Sequence, residues 1–291
     1  MSADIALPAE LVEGLDVREV TPLSGGDIAS AYRLDTPDGA VFCKTHATPT
    51  PGLFEREAAG LRALREHAPD DLHVPQVLRE SPNGLVLEWI PEGGRRTEAT
   101  ETSFGTALAR LHRTTNDTFG GLGGVEFGYL GSAQVDLTPT SDWVQFYVER
   151  RVGPLVDRAI REGRLDPRAR DLFEHCQPHA EQLCGPAEPP ALVHGDLWAG
   201  NRLVGQVDGG RANWIIDPAA YWAHREVDLA MMALFGGFGP QCWNAYDAEY
   251  PLADGWRERV DWYQLPPLLV HAILFGGSYG DAALRALARY A

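Results

Sequence analysis

Lysine is nearly missing from this chain. Lys44 is the only one, and the other 24 of its 25 basic side chains are arginine. Genome composition alone can produce such a bias, but a position that keeps a compact ammonium marks a place where a planar guanidinium would not serve. Cysteine is scarce as well. Cys43, Cys176, Cys184 and Cys242 show no CxxC pairing and are too few to staple 291 residues, so a reducing, cytoplasmic compartment is expected. Bases are outnumbered by acids, 25 to 41, for a formal net charge of -16. Long-range repulsion then opposes a broad contact with nucleic acid or an anionic membrane. Long apolar runs are absent too: LLVHAILF is far short of a membrane span, and the opening MSADIALPAE lacks the basic and apolar regions of a signal peptide. Secreted, membrane and nucleic-acid-binding classes are therefore not expected.

With 44% hydrophobic and 23% charged residues, the composition is globular, and the length suits one large domain or two lobes. From about Val17 to Ile90 the pattern is β-rich with one helix inserted. AYRLDT and AVFCKTH alternate with period 2 around the turn residues PDG, and GLVLEWI is a short apolar run between PNG and PEGG. Leu53, Ala58, Leu61 and Leu64 have helical spacing, which predicts a helix over 53–66. Beyond PEGG the pattern turns helical, over 100–113, 141–160, 167–184, 226–234, 240–250 and from Tyr263 to the end. The short runs ALV, RLV and WII interrupt it. The reading is an α+β, bilobal chain: residues 1–90 form a small β-rich lobe with one helix, and 91–291 a larger, mainly helical lobe.

The densest cluster of chemistry is His194-Gly195-Asp196-Leu197-Trp198-Ala199-Gly200-Asn201, with Asp217-Pro218 ending the run WII 16 residues after Asn201. Two carboxylates and an amide on adjacent loops suit hard-oxygen ligation of Mg²⁺ together with one carboxylate facing a substrate proton. His194 is expected to buttress the loop. The residue before a proline is pushed from the α region, so Asp217 is expected in an extended conformation that fixes its direction. Lys44 ends a strand, and Glu57 follows 13 residues later on the predicted helix, where it could aim the ammonium. Gly25 and Gly26 lie between strands; alone they read as a turn, but beside Lys44 they suit a loop that covers phosphates.

HGDLWAGN followed by IIDP resembles the catalytic and magnesium loops of the aminoglycoside-phosphotransferase-like kinases, relatives of the protein kinases. The fuller string DPAAYWAHREVDLAMMALFGGF, with Trp198 in the loop, is similar to the fructosamine kinase, or ketosamine-3-kinase, family. The resemblance spans nearly the whole chain and implies a protein-kinase-like fold. It implies that Asp196 orients the acceptor hydroxyl and takes its proton, and that Asn201 and Asp217 hold Mg²⁺. Lys44, steadied by Glu57, would meet the phosphates of ATP, and Gly25 and Gly26 would cover them. Glu88, Trp89 and Ile90 would form the hinge beside the adenine. The implied reaction is ATP-dependent phosphorylation of the 3-hydroxyl of a fructosamine-type ketosamine, free or on a glycated protein. The product decomposes and frees the amine, so the implied role is deglycation repair. Where relatives carry a redox-sensitive cysteine in the glycine loop this chain has Asp27, which gives no support to redox switching there.

Trp198, His224 and Glu226 are the expected substrate-side residues, since an aromatic face beside acids suits a sugar bearing an amine. Asp228 reads as structural. The rival readings are a kinase of the same superfamily acting on an aminoglycoside, choline or related alcohol, and a silent nucleotide-binding protein. The full set Lys44, Asp196, Asn201 and Asp217 argues against silence.

Overall fold

Side chains that alternate between Val17 and Ile90 build a five-stranded antiparallel sheet. The computed structural model describes residues 7–24 and 29–291, so the expected loop glycines Gly25 and Gly26 lie outside the described residues. A short helix α1 (Ala9–Val12) precedes strands β1 (Glu19–Leu23), β2 (Ser30–Thr36) and β3 (Gly39–Thr45). Helix α2 (Leu53–His67) and the two-residue β4 (Leu72–His73) follow, then β5 (Val77–Ser81) and β6 (Gly84–Glu88). The sheet order is β1-β2-β3-β6-β5. In β3, Cys43 is buried with Leu34 and Val86 on one face, while Phe42 and Lys44 face the interlobe cleft on the other. Helix α2 buries Phe54, Ala58, Leu61 and Leu64, a stripe of helical period, beneath the same sheet face.

The second lobe begins with α3 (Glu98–Leu111), started by a capping box in which the Thr97 and Thr100 side chains and backbone N–H groups satisfy one another. A hairpin, β7 (Phe127–Leu130) and β8 (Ala133–Asp136), follows; it had no clear mark in the sequence. The expected helix over 141–160 is three pieces: α4 (Trp143–Gln145), a π-helical stretch Phe146–Val152, and α5 (Gly153–Arg161). Helices α6 (Arg168–Cys176) and α7 (Ala180–Cys184) come next, separated by a turn at Pro178. Strands β9 (Ala191–Val193), β10 (Arg202–Val207), β11 (Gly210–Ile215) and β12 (Tyr221–Ala223) carry the functional loops. Five helices close the chain: α8 (Glu226–Phe235), α9 (Pro240–Glu249), α10 (Trp256–Tyr263), α11 (Leu265–Phe275) and α12 (Tyr279–Tyr290). No helix among the described residues is long and apolar enough to cross a membrane.

The two lobes share material. Strand β4, from the first lobe by sequence, pairs in parallel with β11 of the second, Asn213 opposite Leu72 and Trp214 opposite His73. One apolar cluster joins Phe54, Leu61 and Leu85 to Phe104, Leu192 and Ile215. A second lies wholly in the helical lobe around Phe146, Trp262 and Leu269. All four cysteines are buried and free.

Candidate active site

Strand β9 hands the chain to His194 and β12 receives it after Ala220, and the two strands pair antiparallel with Val193 opposite Tyr221. That pairing sets the loops 194–201 and 216–220 side by side. Ala219 N–H donates to the His194 carbonyl at 3.0 Å, and Ile216 N–H to the Asn201 carbonyl at 3.0 Å. Two glycines make the approach possible. Gly195 has φ +81°, and a Cβ there would sit 2.2 Å from the Ala219 carbonyl oxygen. Gly60 brings α2 onto the same loop, where a Cβ would lie 3.2 Å from Ala220 Cβ.

The loop is fixed from beneath by Asp228, a fully buried carboxylate in the first turn of α8. It accepts the backbone N–H groups of His194 and Gly195 at 2.7 and 2.8 Å and lies 3.2 Å from His112 Nε2. Burial, first of all, pushes the pKa of His194 down. Its Nε2 donates to the Ile216 carbonyl at 2.9 Å, and its Nδ1 accepts the Asp196 N–H at 3.3 Å. Both ring nitrogens are thereby engaged in holding the loop. Arg96, which sequence reasoning did not single out, clamps the far end by donating to the carbonyls of Ala199, Arg202 and Gly237.

Four expected residues converge. Lys44 Nζ lies 2.9 and 3.1 Å from the two Glu57 oxygens and 3.1 Å from Asp217 Oδ1. Burial alone would lower the pKa of this ammonium, but Glu57 and Asp217 hold it above its ordinary value. Asn201 Nδ2 donates to the Asp196 carbonyl at 2.9 Å and lies 3.4 Å from Asp196 Oδ2. That orientation leaves Asn201 Oδ1 without a partner among the described residues. Asp196 is pushed up to about 7, by burial first and then by the nearby charges of Asp217 and Asp228. Lys44, Glu57, Asp196, Asn201 and Asp217 all line one cavity of about 940 Å³ between the lobes. The donor set fits a hard divalent cation: carboxylate and amide oxygens, with more negative than positive charge.

Several expectations are corrected. Asp217 is not extended: its φ is +53°, the one positive value for a non-glycine among the described residues. The preference imposed by Pro218 is overridden by the contact with Lys44 and the stitching of Ala219 to His194, in a conformation that aspartate tolerates better than most residues. His224 and Glu226 are not placed against a substrate. Both are buried in the helical lobe and absent from the cavity wall. His224 stacks on Tyr263, ring centroids 5.5 Å apart, and Glu226 takes a two-pronged pair from Arg259 at 2.5 and 2.9 Å. Arg225, next to them in sequence, pairs with Glu188. Trp198 does reach the cleft, 40% exposed, with its ring over Gly200 and edge-on to Phe235. At the hinge, the Glu88 amide N–H donates to the Gln76 carbonyl at 2.9 Å. Trp89 lies under the Arg33 guanidinium, and Ile90 packs against Gly205.

A five-stranded lobe over a helical lobe, with a strand lysine held by a helix glutamate above an HGDxxxxN loop, places this protein among the protein-kinase-like phosphotransferases. The fructosamine kinase profile matches residues 3–291, and the chain belongs to that family. It is 33% identical to the "Probable ketoamine kinase" of Lactiplantibacillus plantarum over 94% of this chain and 95% of that one. It is 32% identical to the chloroplastic protein-ribulosamine 3-kinase of Arabidopsis thaliana, over 100% of this chain and 88% of the other. A crystal structure of a candidate fructosamine-3-kinase from Thermobifida fusca superposes with a TM-score of 0.85 at 38% identity, covering 97% and 96% of the two chains.

Proposed function

We propose that this protein is an ATP- and Mg²⁺-dependent kinase that phosphorylates the 3-hydroxyl of fructosamine-type ketosamines, with Asp196 as the base. The observation that carries the reading is the convergence of Lys44, Glu57, Asp196, Asn201 and Asp217 on one interlobe cavity. Asn201 through Oδ1 and Asp217 through its carboxylate would hold Mg²⁺. Bound there, the ion would offset charge on the phosphate oxygens. Lys44, aimed by Glu57, would steady the phosphates from the opposite side. The acceptor oxygen attacks the γ-phosphorus, the bond from that phosphorus to its bridging oxygen breaks and ADP leaves. The hydroxyl proton passes to Asp196, whose raised basicity suits it to receive one. The catalytic contribution is positioning and charge, with no covalent enzyme intermediate. Trp198, at the cavity wall, would stack on the sugar.

The test is an acceptor screen that follows ADP release with fructosamines, ribulosamines, aminoglycosides and choline. Turnover of ketosamines is expected. Turnover confined to aminoglycosides or choline would reject this reading in favour of a sister kinase.

A further inference from the structure

The interlobe cavity holds a charge that the reaction above does not use. Arg151 is only 4% exposed, and its Nε and Nη1 are buried with no hydrogen-bond partner. It lines the same cavity as Asp196 and Trp198. Its guanidinium carbon sits 5.0 Å from the centre of the Tyr221 ring, another residue of that wall. It forms no ion pair with any described carboxylate, although the chain has 41 acidic residues. The contrast with the other buried arginines is sharp. Arg202 is met by Glu101, Arg225 by Glu188 and Arg259 by Glu226. A buried guanidinium left without an anion is costly, which is why the other three are answered from within the chain.

Backbone geometry gives a second, independent observation. Arg151 lies in the π-helical stretch Phe146–Val152, and π turns are rare and concentrate at functional sites. Within this stretch Arg151 lines the cavity, while Phe146, Tyr147 and Val152 lie in the core.

We propose that Arg151 is an anion subsite for the acceptor, so that the preferred substrate is a small ketosamine carrying an oxyanion. That group is either the carboxylate of a glycated amino acid or a phosphate on the sugar. The proposal rests on the ketosamine kinase reading and narrows it. A guanidinium suits either anion because its N–H groups match paired oxygens. A lysine glycated within a protein by an unphosphorylated sugar brings neither group close to its sugar, so free adducts are favoured over such proteins.

The experiment measures kcat/KM with three matched acceptors: the fructose adduct of glycine, the neutral adduct of glycinamide, and the 6-phosphate of that neutral adduct. One anionic acceptor is expected to exceed the neutral one by about 100-fold in the wild type, and the ratio to shrink below about 5-fold in Arg151→Gln. Arg151→Lys should keep part of the ratio. Which anionic arm wins identifies the source of the oxyanion. Equal use of charged and neutral adducts by the wild type overturns the subsite while leaving the kinase reading intact, as does a ratio that survives in a folded Arg151→Gln. Should that variant not fold, the wild-type ratio decides alone. If no ketosamine is phosphorylated, the kinase reading falls and the subsite with it.

Discussion

Asp228 accepts the backbone N–H of His194 at 2.7 Å from a position with no exposure to solvent. It is the post on which the loop carrying Asp196 is hung. Asp228→Ala would strand the N–H groups of His194 and Gly195 and leave the His112 ring without its carboxylate. A stability loss of about 3–5 kcal/mol is expected, read by denaturant unfolding. In whatever fraction folds, kcat should fall more than the KM for ATP changes.

In the proposed reaction Asp196 takes the proton of the acceptor hydroxyl. Asp196→Asn keeps the size and can still meet Asn201, but it removes the base. We expect kcat to fall by about 10³-fold while the dissociation constant for ATP changes by less than about 3-fold. An unchanged kcat would remove Asp196 from the mechanism.

Lys44 is held at once by Glu57 and Asp217, so its point charge is placed from two directions. A guanidinium is longer and planar, and it cannot take up both contacts at the same spot. Lys44→Arg is therefore expected to be as impaired as Lys44→Met, with the KM for ATP raised about 10-fold or more. Because no other lysine exists, an ATP-directed amine reagent should modify Lys44, apart from the N-terminus, and excess ATP should protect it. Restoration of activity by arginine would show that the ammonium is dispensable.

Stability should depend on pH through His224. Burial, ahead of the opposing charge of Glu188 and the like charges of Arg225 and Arg259, pushes its pKa down to about 4. An unfolded histidine titrates near about 6.5. Between these values the unfolded chain binds a proton that the folded chain refuses, so stability is full above about 6.5 and drains away as the pH falls toward 4. The loss is on the order of 3 kcal/mol over that window. His194 shifts in the same direction and shares this limb. His224→Phe, which keeps a ring for Tyr263, should flatten the limb in unfolding curves taken at pH 7 and pH 5. An identical slope in the variant would contradict this assignment.

What could be read from the sequence divides along a physical line. Lys44 and Glu57 were legible because strand alternation and helical period each fix a face locally, and both faces turn to the cleft. HGDLWAGN was legible because the chemistry needs those groups on one short loop. His224 and Glu226 were misread because their surroundings come from afar: Tyr263 and Arg259 arrive on α10, Arg259 being 33 residues beyond Glu226. Only the assembled core tells a buried ring from one that faces a sugar. Arg151 was invisible for a different reason. A π turn has no local signature, so a run such as FYVERR reads as ordinary helix. At Asp217 the local rule was sound and lost to tertiary contacts. The β7–β8 hairpin gave too short an alternation to stand out.

The parallel seam between β4 and β11 has a consequence for how the molecule can be divided. Phe54, Leu61 and Leu85 finish their packing on Phe104, Leu192 and Ile215, which come from the other side of the hinge. Neither half therefore owns a complete interior. Severing the chain near Ile90 would bare raw apolar faces on both fragments. On heating, the intact protein should come apart in one step, its two lobes lost together.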